Sequence, residues 1–539
     1  MKKIIFLLLL NLLLFSCARV GAPNGGTRDS LAPKFLGSNI DTTRLNVSRT
    51  VKELRLDFDE YVMLKDFNKN FNVSPPIKKI KKVIPSNLAN KYVLIQWEDT
   101  LQANTTYNFN FGNAIVDNNE SNPLPYFNFA FSTGDKIDDL FVSGTVKDAM
   151  TLIKENQTAK DNKMVVGLYK AGENLDYKQK PDYITKVDEE NYFELNFLPK
   201  GEFVIIAFDD ENQNSVYDAG KEKVSFLKEK IKLDSTSVRG LKLKLYPSKK
   251  VVKYKESKAI NGGLLMTFEG NPETVDVKSL SEDLKDFKVT HAKRSDSVNI
   301  WFDAEKSNLG GTVSKQLKLS YFTPTISDTI SVSYKAVKEE FKLSNEAGNL
   351  IAPENNFVIN TSLPIENLNT SSWKLESDSI AQDFTAKISE KNPFKILVNS
   401  SFKPTKKYVL TIPKETVSSY YSSNDKSFQF QFEIDKPENY GSFTAVIKNK
   451  PTAKFWVELT NEKGEILYSQ FTNASEVSFK NLKPATYIAR IRVDNNGNGF
   501  WDEADFAQNI AAEDVYIFEK EINVRPLWEI KEDWELTNH

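Results

Sequence analysis

The chain is short of the residues on which most chemistry depends. Among 539 residues there is one cysteine, Cys17, and two histidines, His291 and His539. A single cysteine excludes a disulfide within the chain and any Cys/His zinc site. His291 has no carboxylate or cysteine pattern around it and reads as a strand-face residue, so a Ser-His-Asp or Cys-His apparatus has no base. No HExxH, no GxSxG and no Gly-rich phosphate loop after a strand occurs. Acids are plentiful, but those such as Asp57 and Asp59 sit at strand spacing among polar neighbours, with nothing to pair them as acid and base. The net charge is only −2 and the Lys and Arg are spread evenly, which excludes the clustered basic face that nucleic acid requires. The longest apolar run, Ile4 to Phe15, is too short for a convincing membrane span. These absences argue against an enzyme.

What is present is aromatic and alternating. Phe (36) and Tyr (20) make up most of a 12% aromatic content, and they fall at every second position of short runs, as at Tyr107, Phe109 and Phe111. That period and composition give an all-β protein. The length is too great for one core and implies roughly three to five domains. At the N-terminus, Lys2 and Lys3, the apolar run and Ser16 make a secretory signal over residues 1–16. Leu14-Phe15-Ser16-Cys17 resembles a bacterial lipobox. The resemblance implies that Cys17 is lipidated and heads the mature chain, anchored to the outer membrane through its acyl groups. Residues 17–31 are small, polar and Gly-rich, a tether. No acidic run follows Cys17, which leaves the side of that membrane open.

The remainder is organised by a repeat. Asp494, Asn496, Asn498, Trp501 and Asp502 lie opposite Asp210, Asn212, Asn214, Tyr217 and Asp218 in an ungapped register 284 residues apart. The match runs back through Leu482 and Leu198, Tyr487 and Phe203, Ile488 and Val204. One unit has been used twice. Its order, G-x-V, V-x-L-Y, F-x-L and L-P-x-G-x-F over residues 138–247, is similar to the transthyretin-like, carboxypeptidase-regulatory-like sandwich, and residues 437–539 repeat it with a tail carrying Trp528 and Trp534. Leu101 to Tyr107 and the closing Phe129-Ala130-Phe131-Ser132-Thr133-Gly134 resemble bacterial Ig-like domains of the SbsA/Big type over residues 32–134. Phe402 to Tyr408 and Phe428 to Phe432 echo them over 350–436, and residues 248–345 read as a further, unassigned β domain. The whole is tandem β-sandwiches behind a lipoprotein signal. With the Cys-Ala-Arg-x-Gly-x-Pro-x-Gly-Gly start and the Asn-Gly-Asn-Gly-x-Trp-Asp loop, it resembles the large Ig-like domain-containing lipoproteins of the Bacteroidota, for which the resemblance implies no enzymatic activity.

Two sets of residues carry candidate chemistry. Asp494, Asn496, Asn498, Asp502 and Asp505 place oxygens at positions 1, 3, 5, 9 and 12 of a calcium-type loop, with Gly499 at the turn; any Ca²⁺ there would be structural. The earlier copy offers Asp210, Asn212, Asn214 and Asp218, but has Ser215 for the glycine and Lys221 at position 12. The alternative for both is an Asx-rich turn held by its own hydrogen bonds. The triplet Asp-Ser/Thr-aliphatic or Thr resembles the O-glycosylation sequon of periplasmic Bacteroidota proteins, with acceptors Ser30, Thr42, Thr100, Ser235, Ser297, Thr329 and Ser379. The function expected is a non-catalytic, outer-membrane-anchored scaffold or interaction protein, an accessory subunit of an outer-membrane complex for assembly, secretion or uptake. The alternative is a cell-surface carbohydrate-binding lipoprotein, whose mark would be three or more exposed aromatics on one sheet face. A bare strand edge would mark the scaffold.

Overall fold

The structure is a computed structural model that describes residues 29–152, 163–172, 176–337, 339–346 and 348–536. The signal segment 1–16, Cys17, most of the tether and His539 lie outside the described residues. The fold is all-β, built as five two-sheet sandwiches in chain order.

Sandwiches 1, 3 and 4 share one strand order. In sandwich 1 the sheet Phe35–Ser38, Glu53–Leu64, Asn90–Trp97, Ile80–Ile84 faces the sheet Asn72–Ser74, Thr106–Gly112, Phe127–Ser132. The same order recurs in sandwich 4 as Leu343–Asn345, Phe357–Thr361, Asn392–Ser400, Phe384–Ser389 over Lys374–Ser377, Lys407–Ile412, Phe428–Ile434. It recurs again in sandwich 3, as Lys253–Ile260, Gly263–Glu269, Ser297–Trp301, Lys288–His291 over Asp276–Ser279, Lys315–Phe322, Ser327–Tyr334. The stretch left unassigned in sequence is thus a third copy of the Ig-like arrangement. Its boundary also moves, because Phe341 and Leu343 lie in the core of sandwich 4, so residues 341–345 belong there. In sandwiches 1 and 4 a buried tyrosine pins the turn before its own strand. The Gln102 N–H donates to Tyr107 Oη and the Lys403 N–H to Tyr408 Oη, each at 2.8 Å. Sandwich 3 has Lys315–Phe322 at this place, with Leu317 in the core, and so lacks the cue that makes its siblings readable.

Sandwiches 2 and 5 form the second type. Met164–Lys170 and Gly201–Asp209 are the central strands of one sheet, as are Phe455–Thr460 and Ala485–Val493. In the facing sheet the last strand returns parallel to the first: Val238–Leu245 beside Leu140–Asp148, and Glu529–Glu535 beside Gly441–Lys448. Gly144 lets the first of these pairs close, since a Cβ there would lie 2.1 Å from the Leu241 carbonyl oxygen. The tail that carries Trp528 and Trp534 supplies that parallel strand in sandwich 5. Trp534 is buried in its core, whereas Trp528 is half exposed under the Arg525 guanidinium. Alternation decides each core: Tyr107, Phe109 and Phe111 point inward with Phe129 and Phe131, and each fully buried aromatic contributes roughly 1.5–3 kcal/mol.

The array closes on itself. Ser74 of sandwich 1 accepts from the Ile184 N–H of sandwich 2 at 3.2 Å. Trp301 of sandwich 3 is buried in the core of sandwich 4, 6.0 Å from Phe394. Asn481 of sandwich 5 donates to the Pro353 carbonyl of sandwich 4 at 2.9 Å. Sandwich 5 then reaches back to sandwiches 2 and 3 through the loop that follows Val493, where the candidate site lies.

Candidate functional site

Each Asp/Asn loop leaves the end of a central strand, and the two copies fold alike. Asp494 takes the N–H groups of Asn498 and Gly499 at 3.0 and 2.9 Å; Asp210 takes those of Asn214 and Ser215 at 3.0 Å each. Asn496 Nδ2 donates to Asp502, and Asn212 Nδ2 to Asp218 at 2.6 Å. The left-handed residues also coincide. Gly497 and Gly499 have φ of 72° and 81°, and their counterparts Gln213 and Ser215 have 59° and 61°. The second copy thus has glycine at both positions that demand it, while the first bears the steric cost of side chains there.

The closing acid differs from the one expected. Asp505 does not join the loop; its backbone bridges Ile510 and its carboxylate takes the Gln508 N–H at 3.2 Å. The place belongs to Glu513, whose two oxygens take the Asn496 and Asp502 N–H groups at 3.1 and 3.0 Å. Glu222 does the same in the first copy, holding the Glu211 and Asp218 N–H groups, so Lys221 is not the closing position. Both glutamates were missed because the second copy carries seven extra residues before its glutamate, which breaks the ungapped register after Asp502. The available signal was Glu222, one place beyond position 12 in the first copy. Burial pushes Glu222 up to about 7, and the nearby Asp210 and Asp218 charges add to it, against two backbone hydrogen bonds that pull it down. Glu513 is raised for the same first reason.

The residues present are oxygen donors of the kind Ca²⁺ prefers. In the second loop, however, their valence is already spent. Asp502 Oδ1 meets Arg294 of sandwich 3 at 2.7 Å, and its Oδ2 receives the amides of Asn496 and Asn498. Burial pushes Asp502 up, but the Asn496 and Asn498 hydrogen bonds, and after them the Arg294 charge, hold it below the usual carboxylate range. A guanidinium stands where a metal would supply charge, and the second loop does not fit Ca²⁺ in this arrangement. The first loop has no such arginine. Among the described residues no three His, Cys, Asp or Glu side chains are placed to share a metal ion.

The seven extra residues form the contact that closes the array. Asp505 and Ile510 pair as a small hairpin that drives Phe506 into the outer sheet face of sandwich 2. Its ring lies 4.4 Å from that of Tyr177, 5.1 Å from Phe226 and 5.8 Å from Tyr217. Val165, Tyr169, Ile206, Phe208 and Val224 complete the socket. Beside it the Ala504 N–H donates to Pro247 O at 3.1 Å, and Lys249 N–H to Ala504 O at 2.8 Å. Phe500 lies under Lys293 and Arg294.

On the corresponding face of sandwich 5 the apolar socket is replaced by charge. Glu458, 1% exposed, is held by Arg490 through Nε and Nη2 at 2.9 and 2.7 Å and by Arg492 through Nε and Nη2 at 3.1 and 2.5 Å. Trp456 stacks on Phe471 at 4.5 Å, and the Arg492 guanidinium lies about midway between Trp456 and Trp501, 5.9 and 5.8 Å from their rings. Elsewhere the expected sites are dispersed. Ser30, Thr42, Thr100, Ser235, Thr329 and Ser379 are exposed, whereas Ser297 is half-buried within a strand. His291 hydrogen-bonds the Ser295 carbonyl at 3.0 Å, Asp57 pairs with Arg55 at 2.8 Å, and Asp59 takes the Lys34 N–H.

With that geometry in hand the chain can be set beside known proteins. Residues 29–133 match a bacterial Ig-like domain. No curated protein matches the chain. Among solved structures, the S-layer protein rSbsC(31-844) is 12% identical over 92% of this chain and 67% of its own, with a TM-score of 0.15. A Bacteroides ovatus mixed-linkage glucan utilization protein, SGBP-B, is 10% identical over 72% and 94%, with a TM-score of 0.18. BcpA, the major pilin subunit of Bacillus cereus, is 11% identical over 74% and 99%, with a TM-score of 0.13. At those scores the whole-chain likenesses carry no argument. The Ig-like match covers sandwich 1 alone, and the shared strand order extends that arrangement to sandwiches 3 and 4.

Proposed function

We propose that the chain is a non-catalytic scaffold carried on the outer membrane by a lipid on Cys17 and serving as an accessory subunit of an outer-membrane protein complex. The observation that carries this reading is the closure of the array. The Phe506 hairpin and the Arg294–Asp502 pair tie sandwich 5 to sandwiches 2 and 3, making a stiff platform out of modules that a chain of linkers would leave loose. The acids at the candidate site are engaged in holding loops. Affinity capture of the tagged, lipidated chain from its own detergent-solubilised membranes, read by mass spectrometry, tests it. A stoichiometric outer-membrane protein among the prey supports the subunit; a bait recovered alone refutes it.

The second reading, a carbohydrate-binding surface protein, is favoured by the aromatic cluster on sandwich 5. Trp456, Phe471 and Trp501 gather around Arg492, and Phe471 is 44% exposed. Aromatic faces of this kind stack on sugar rings. Binding on a glycan array that is lost in Trp456→Ala would select this reading.

Two modifications belong with the proposal. Structural Ca²⁺, a candidate at the second loop and a weaker one at the first, is kept as a proposal for the first alone, where no arginine competes but Asp210, Asp218 and Glu222 would have to turn from their loop hydrogen bonds to share the ion; titration calorimetry of the full chain showing no heat removes it. O-glycosylation is assigned to the six exposed acceptors and not to Ser297, and an intact mass equal to that of the lipidated polypeptide would exclude it.

A further inference from the structure

Sheet edges in soluble proteins are blunted, because an open edge pairs with any strand that meets it. Of the edge strands of five residues or more among the described residues, two carry no charged side chain: Phe127–Ser132 in sandwich 1 and Ile466–Thr472 in sandwich 5. The first is covered, since Ser132 exchanges backbone hydrogen bonds with Arg44 and Val47 at 2.8 and 3.0 Å. The second is not. Ile466–Thr472 pairs inward with Phe455–Thr460, and no backbone hydrogen bond among the described residues reaches its outer edge. Ile466, Leu467 and Phe471 are 46%, 48% and 44% exposed. The same edge in the first copy, Tyr183–Lys186, is occupied: it lies against the edge strand Asn72–Ser74 of sandwich 1, with the Ile184 N–H on Ser74 Oγ. The repeat therefore shows this edge seated on another sandwich's edge in one copy and bare in the other.

We infer that Ile466–Thr472 is the interface with a second copy of the chain, the two strands pairing antiparallel about Ser469. The sequence is complementary to itself in that register. Leu467 falls opposite Phe471, so these two exposed apolar side chains meet, while Ile466 falls opposite Thr472 and Tyr468 opposite Gln470. Glu465 meets Asn473, and like charges do not oppose until Glu462 and Glu476, outside the strand. The result joins two four-stranded sheets into one of eight and places the two Trp456–Phe471 stacks on a common face. The strand itself carries no charged side chain to desolvate, which distinguishes this edge from the lysine- and glutamate-bearing edges elsewhere.

Disulfide trapping tests the assignment in the full chain. Ser469→Cys lies on the two-fold axis and is expected to give a covalent dimer under mild oxidation, at a yield well above that of Ser235→Cys, an exposed position on sandwich 2 that shares the same Cys17 background. Adding Leu467→Lys, or separately Ile466→Lys, to Ser469→Cys is expected to abolish the dimer; both side chains are half exposed, so the fold survives either change. A Ser469→Cys yield no higher than that of Ser235→Cys overturns the inference. So does a yield that both lysine variants leave unchanged, or a Ser469→Cys adduct with a different protein in place of the second copy.

Discussion

Replacing Phe506 with alanine puts the closure of the array to a direct test. The ring is 5% exposed and touches three aromatic rings of sandwich 2. A buried Phe→Ala change in a core costs about 3–5 kcal/mol. Here one wall is a surface hairpin that relaxes more readily than a core, so the docking free energy should fall by about 2–3 kcal/mol. At ~1.4 kcal/mol per tenfold, the hairpin should open about 30- to 150-fold more often. Two amides report that opening: Ala504 N–H, bonded to Pro247 O, and Lys249 N–H, bonded to Ala504 O. Hydrogen exchange of peptides containing them should accelerate by that factor, while amides of Ala485–Val493 in the core of sandwich 5 keep their protection. If the variant folds and exchange at both amides stays within about twofold of the parent, Phe506 does not hold the array closed.

Three further outcomes are expected. Glu458→Ala leaves Arg490 buried without its counter-charge and should destabilise sandwich 5 by about 3–5 kcal/mol, seen as a lower urea midpoint; a loss below about 1 kcal/mol would mean the arginines find water instead. Gln213→Gly and Ser215→Gly relieve left-handed side chains and should each stabilise sandwich 2 by about 1 kcal/mol, a gain absent from any substitution at Gly497 or Gly499. Burial lifts Glu222 to about 7 from 4.5, so the folded form keeps a proton that the unfolded chain releases. The group's contribution therefore turns against folding as pH rises from about 4.5 to about 7, and is constant above. The difference in melting temperature between the parent and Glu222→Gln should shift in favour of the variant across that window; a difference independent of pH refutes the assignment.

The strand content was legible because alternation reports burial directly. Tyr107, Phe109 and Phe111 occupy one face in sequence and one core in the fold. The repeat was legible wherever its register was ungapped, from Leu198 and Leu482 to Asp218 and Asp502. Beyond that point the reading failed for a definite reason. The inserted hairpin displaced Glu513 from the position where a fixed-spacing motif looks for it, and put Asp505 there instead. The neutralisation of Asp502 was beyond reach of any local pattern, since Arg294 lies 208 residues away and on another sandwich. Sandwich 3 escaped assignment because strand order, which unites it with sandwiches 1 and 4, is set by pairing partners and leaves no fixed mark on the residues.

The divergence of the two copies follows from what a duplicated plug and socket would otherwise do. A contact between different surfaces of like units propagates into filaments unless it closes. Had sandwich 5 kept the apolar face of sandwich 2, the Phe506 hairpin of one molecule would have found a second socket on the next. In the shared register Ile206 and Phe208 of the socket correspond to Arg490 and Arg492, and Gly167, which pairs with Ile206, corresponds to Glu458. Seating a phenylalanine there would mean disrupting a buried ion triad, which costs several kcal/mol. Nor can sandwich 2 act as a plug, because its loop lacks the seven residues that carry Phe506. Of the two copies, one holds the apolar socket and the other the hairpin that fills it, so the contact is satisfied once, within the chain, and the face of sandwich 5 is left to a different partner.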